Sequence, residues 1–164
     1  MIELLEEAGE ELKRADHLVY VSLKYTRTGD VLLNSLSRMI DSYELLIGAL
    51  LEYAKDTKGL EAIPNTPLEK GRIIKEIYPQ QEVHDNIDLY FLLRKIFKAP
   101  NKQREEEYRR HVALITTVEG REEKVDIDVI TQYLEFQKQF YRFVVEMLKD
   151  HAKKKHVEEN GWEY

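Results

Sequence analysis

The stretch that most constrains this chain is residues 31–54, VLLNSLSRMIDSYELLIGALLEYA. Leu33, Leu36, Ile40, Tyr43, Ile47, Leu50 and Ala54 recur at alternating steps of three and four, the period of one helical face. Ser35, Ser42, Gly48 and Ala49 are small enough to let a second helix come close, and only Arg38, Asp41, Glu44 and Glu52 bring charge. A helix with so little polar surface is buried on most of its circumference, which predicts that the other helices are laid against it.

Residues 4–25 carry a similar stripe at Leu5, Ala8, Leu12, Ala15, Val19 and Ser22, with Glu3, Glu6 and Glu7 at the positive end of a helix dipole. The break Thr26-Arg27-Thr28-Gly29-Asp30 predicts a left-handed Gly29 and an Asp30 cap, and so short a connection makes the two helices antiparallel neighbours. Thr66-Pro67-Leu68-Glu69 is a helix start signal, and Pro79 stops that helix. A further helix begins near His84 or Asp85 and runs to Pro100; KQREEEYRR is expected to add one short helical turn capped by Asn101. The β-branched residues around Glu119-Gly120 fit either a small β-hairpin or an irregular loop. Asp126 or Asp128 then caps the last long helix, striped by Ile130, Tyr133, Phe140, Val144, Met147 and His151 and widened by Leu134, Phe136, Tyr141 and Phe143.

The fold class expected is all-α: an up-down helical bundle of three long helices and two or three short ones, with room for a small β-hairpin before the last helix. At 164 residues the chain fits one domain, read as residues 1–151 with a charged, frayed tail at 152–164. The aromatic width of the last helix exceeds one inner face, so a homodimer through the C-terminal helix is expected. The chain holds no cysteine, which excludes a disulfide framework and a thiol nucleophile. Without an apolar leader or a long uncharged apolar run, a cytoplasmic protein with no membrane contact is expected. A bias toward Lys, Glu, Arg and Tyr is one seen in thermophile proteins.

A net charge of −6 argues against broad, non-specific duplex binding and leaves room for a local basic patch. None of the five histidines has Glu three residues before it, so the paired Glu-x-x-His set of a di-iron bundle is missing, and no metal or cofactor is expected. Neither a Gly-rich phosphate loop nor a Gly-x-Ser-x-Gly elbow occurs. The most suggestive polar patch is Lys24, Tyr25, Arg27 and Thr28, whose cations, phenol and hydroxyl suit a phosphate or a stacked base. The alternative is local: the tyrosine packs, and the cations face the negative end of the helix dipole.

The run ADHLVYVSLKYTRTGDVLLNSLSRMIDSYELLIGALLEYA resembles the opening helical hairpin of the HEPN superfamily of small dimeric helical proteins. The segment EEYRRHVALITTVEGREEKVDIDVITQYLEFQKQFYRFVVEML is similar in layout to the closing section of its archaeal members. Active HEPN proteins are metal-independent ribonucleases with an Arg and a His separated by four to six intervening residues. Arg104 and His111 meet that spacing. The resemblance implies His111 as general base or acid and Arg104 as the group stabilising the transition state. Arg104 is followed by Glu105-Glu106-Glu107, where the family has Asn, Asp or His, and three carboxylates repel a phosphate. The leading expectation is therefore a non-catalytic HEPN-like binding module, a homodimer taking RNA or a nucleotide at Lys24 to Thr28. The ribonuclease using Arg104 and His111, and a structural subunit that binds only a protein partner, stand as alternatives.

Overall fold

The central helix begins where the Thr28 hydroxyl accepts a hydrogen bond from the Val31 amide at 3.3 Å. In the computed structural model, which describes residues 1–161, the elements are α1 (Ile2–His17), a π-helical turn (Leu18–Ser22), α2 (Leu23–Tyr25), α3 (Gly29–Thr57), α4 (Pro67–Ile77), α5 (Gln81–Lys98), β1 (Gln103–Glu105), β2 (Ala113–Val118), β3 (Arg121–Asp126) and α6 (Ile127–Asn160). The chain is mainly helical, as its periodicity demands, and carries one small antiparallel sheet of order β1-β2-β3.

α3 lies at the centre. Fourteen of its residues are buried, among them every member of the expected stripe except Leu33, which is half-buried. α1 runs antiparallel along it: Met1 reaches Glu52, Leu4 meets Gly48, Ser42 Oγ donates to the Ala8 carbonyl at 2.8 Å, and Arg38 pairs with Glu11 at 3.0 Å. The small residues thus sit at the close approach. α5 also opposes α3, through a buried Tyr43 hydroxyl on Asn86 Oδ1 at 2.6 Å and through Tyr90 and Arg94 on Glu44. α6 runs with α3, joined by Gln137 Nε2 on the Met39 carbonyl at 2.8 Å and by Lys155 on Glu52 and Asp56. One apolar cluster extends from Leu5 to Ala152 and includes Leu114 and Val125 of the sheet.

Four local expectations are corrected. Gly29 is the first residue of α3 and does not carry a positive φ, and the cap is Thr28 rather than Asp30. Gly29 is small for another reason: a Cβ there would lie 2.8 Å from Arg104 Cδ, so β1 can settle against the start of α3. The segment after Asn101 is a strand, not a helical turn, because the open edge of β2 pairs Gln103 with Ile115 and Glu105 with Ala113. Between α1 and α2 the chain widens into a π turn, which brings Leu23 into the core in place of Ser22. Finally, the tail expected to fray from residue 152 remains helical to Asn160, with Ala152 buried and Lys155 anchored; residues 162–164 lie outside the described residues.

No helix among the described residues is long and apolar enough to cross a membrane.

Candidate functional site

The hairpin and its third strand determine where the basic residues fall. β1 ends at Glu105, and the chain must turn back to enter β2 at Ala113. Glu106 and Tyr108 make that turn with φ of 54° and 67°, a region costly for residues with a Cβ. The Tyr108 amide donates to the Arg27 carbonyl at 2.6 Å, which ties the turn to the end of α2. Arg110 and His111 are thereby delivered to the same side of the molecule as Lys24 and Arg27.

The four side chains line one cleft of about 410 Å³. Val19, Tyr20 and Leu23, from the π turn and α2, form one wall, and Asp126, Asp128 and Thr131 at the start of α6 form another. π turns recur at functional sites because they displace one residue from the regular ladder. Here Tyr20 donates to Glu135 at 2.5 Å and lies under Lys138, 5.0 Å from the ring centre. The hydrogen bond from Tyr20, followed by that from Lys138, holds the Glu135 carboxyl below its ordinary value.

Arg38, Arg94, Arg104, Lys95, Lys138 and Lys155 all pair with carboxylates. Among the described residues Lys24, Arg27 and Arg110 have no such partner, and Arg27 Nε is buried without any hydrogen-bond acceptor. Two carboxylates face them. Asp126 caps α6 through the Val129 amide at 2.8 Å, and Asp128 stands exposed in the first turn. Three unpaired cations and an exposed imidazole therefore face two carboxylates in a chain whose total is −6. Such a set can grip a phosphate.

No family model matches the sequence, and no curated protein or solved structure matches it either.

Of the residues named from the sequence, Lys24 and Arg27 share the cleft with His111, whereas Tyr25, 85% exposed, does not line it. Thr28 is buried and its hydroxyl is engaged in the α3 cap. Arg104 is not in the cleft. Its guanidinium donates to Asp30 at 2.7 Å and lies 3.6 Å from Glu107, and hydrogen bonding to Asp30 raises its pKa further. Arg104 and His111 thus do not meet in one cavity. Two residues were missed: Arg110, which lines the cleft, and the 78%-exposed Tyr108, which does not line it but bonds to the backbone of Arg27. The run Tyr108-Arg109-Arg110-His111 was their only sequence signal, an aromatic and basic patch directly after an acidic one. No group of three or more His, Asp or Glu side chains among the described residues is placed to hold a metal ion.

Proposed function

We propose that this protein is a non-catalytic, HEPN-like helical binding module, an up-down bundle that acts as a homodimer and holds single-stranded RNA or a nucleotide in the cleft. The observation that carries the reading is the convergence of Lys24, Arg27, Arg110 and His111, from segments far apart in the chain, without ion-pair partners. Cations left unpaired in a concave site are suited to phosphate oxygens, and Arg supplies a two-pronged donor for them. Tyr25 and Tyr108 add two exposed rings next to cleft residues, a stacking platform that unpaired bases can use and duplex bases cannot. Binding is favoured over cleavage because the guanidinium of Arg104 is already engaged by Asp30 and Glu107.

The dimer is supported by α6. Phe140 is consumed in the core and Tyr141 donates to the Leu5 carbonyl, but Phe136 is 38% exposed. Tyr133, Phe143 and Met147 continue its stripe half-buried. Light scattering at micromolar concentration is expected to give twice the chain mass, and a strict monomer removes this part of the proposal.

Fluorescence anisotropy with a labelled single-stranded RNA tests the cleft. Arg27→Ala or Arg110→Ala is expected to weaken binding, and Tyr108→Ala to cost about 1–3 kcal/mol, the range for one stacked base. The RNA should be recovered intact. Cleavage that is lost in His111→Ala would replace this reading with the ribonuclease one, and binding indifferent to all three alanine variants would leave only the structural subunit.

A further inference from the structure

A separate concavity of about 560 Å³ opens between the first turn of α4, the C-terminal half of α5 and the hairpin turn after β2, and it shares no residue with the basic cleft. Its size is that of sites that enclose small organic molecules. The floor is apolar. Pro67 and Leu68 come from α4, Phe91 from α5 and Val118 from β2. Phe91 is fixed because α4 meets α5 at Gly71, where an added Cβ would lie 2.3 Å from Phe91 Cζ and 3.2 Å from Ile87 Cγ2. Leu68, by contrast, stays 48% exposed, so apolar surface is left uncovered inside a hollow.

One wall is held under strain. Glu119 sits at φ 51° in the hairpin turn, where a residue with a Cβ is disfavoured, and Lys95 donates to its carboxylate at 2.6 Å. That ion pair draws the hairpin tip onto α5 and closes the hollow on a third side. Arg94 is also engaged, on Glu44 and over the Tyr90 ring.

Lys98 has no such engagement. It lines the hollow and is exposed, and among the described residues it makes no ion pair or hydrogen bond. A cation at a helix C-terminus often serves the last carbonyls. Here Lys102 does so, donating to the Phe97 carbonyl at 2.8 Å and the Ala99 carbonyl at 2.6 Å. Lys98 is left as an ammonium at the mouth of an apolar hollow, with no internal task.

We propose that this hollow binds a small amphipathic organic anion, a monocarboxylate whose aliphatic or aromatic body lies on Leu68, Phe91 and Val118 and whose carboxylate meets Lys98. Three converging elements form its sides and leave it open to solvent, a depression of a size for a compact ligand rather than for the face of another protein. The apolar floor supplies affinity, and the single free ammonium supplies the preference for an anion.

Titration of the isotope-labelled protein with decanoate, followed by amide chemical shifts, tests this. Saturable shifts are expected at Leu68, Phe91, Lys98 and Val118, with decanol bound roughly tenfold more weakly, as the loss of one partly exposed charge-assisted contact implies. Lys98→Glu should abolish that preference and Lys98→Arg should keep it. Leu68→Glu, at an exposed position that leaves folding intact, should weaken both ligands. Shifts scattered over the surface, absence of saturation, or equal affinity for decanol and decanoate in the unaltered protein would overturn the proposal.

Discussion

Tyr43→Phe removes one oxygen atom from the middle of the molecule. The ring of Tyr43 is fully buried, and it contacts Tyr90 at 5.9 Å and Phe140 at 6.1 Å between centroids, contacts that a Phe retains. The hydroxyl donates to Asn86 Oδ1 at 2.6 Å, and Asn86 is 1% exposed. Burial pushes the Tyr43 phenol well above its ordinary value, so it remains a donor at any working pH. The Asn86 amide nitrogen keeps its own acceptor, the Glu82 carbonyl, and so cannot turn to rescue the oxygen without losing that bond. A buried acceptor left unpaired costs about 1–3 kcal/mol. For a domain of this size each kcal/mol lowers the melting temperature by about 2–4 °C, so a loss near 2 kcal/mol predicts a drop of about 4–8 °C. Urea unfolding followed by circular dichroism measures the free-energy loss and a thermal melt the temperature drop, with Tyr141→Phe as the control. The Tyr141 hydroxyl makes a longer, half-buried bond of 3.2 Å to the Leu5 carbonyl and should cost less than about 1 kcal/mol. If Tyr43→Phe lies within about 0.3 kcal/mol of the parent, well under the cost of an orphaned acceptor, α3 and α5 do not pair as described.

Two further outcomes follow from particular contacts. Burial works to raise the Asp56 carboxyl, but hydrogen bonds from His151 and Lys155 outweigh it and hold the group below its ordinary 3.8. A carboxyl depressed in the folded state contributes stability that is complete above the unfolded value, near pH 4, and is lost as pH falls through the folded value. Asp56→Asn should therefore flatten the acid limb of the stability curve and cost stability at neutral pH; an unchanged acid limb would count against the anchoring of α6. Gly71→Ala gains about 1 kcal/mol of helix propensity yet sets a Cβ 2.3 Å from Phe91 Cζ, and overpacking costs about 1–3 kcal/mol, so thermal unfolding should show no gain and most often a loss.

Much of the helical framework could be read from residues whose signals are local. Thr66 and Asp126 precede their helices and do cap them, at 3.2 Å and 2.8 Å, and Glu119-Gly120 does turn the hairpin. What escaped was decided at a distance. Gln103-Arg104-Glu105 is exposed and helix-compatible, and it becomes a strand only because β2 offers an unpaired edge. Gln137 looks like a surface residue, yet it is completely buried against α3. The lysine-rich stretch after His151 looks solvated, and Lys153 and Lys154 are exposed, yet Glu52 and Asp56 of α3 hold Lys155. The cleft divides the same way. Lys24 and Arg27 are near neighbours in the chain and were visible as a patch, whereas Arg110 joins them only through two positive-φ residues and one hydrogen bond to Arg27.

The salt dependence of oligonucleotide affinity tests the central claim most directly. For a single strand, the slope of log affinity against log salt is about −0.7 for each phosphate neutralised. Replacing Lys24 and Arg110 together by Ala should therefore make the slope shallower by about 1.4 while leaving the fold intact, since neither makes an internal ion pair among the described residues. Parallel slopes for the parent and the double variant, or no binding of single-stranded RNA at low salt, would contradict a phosphate-holding cleft.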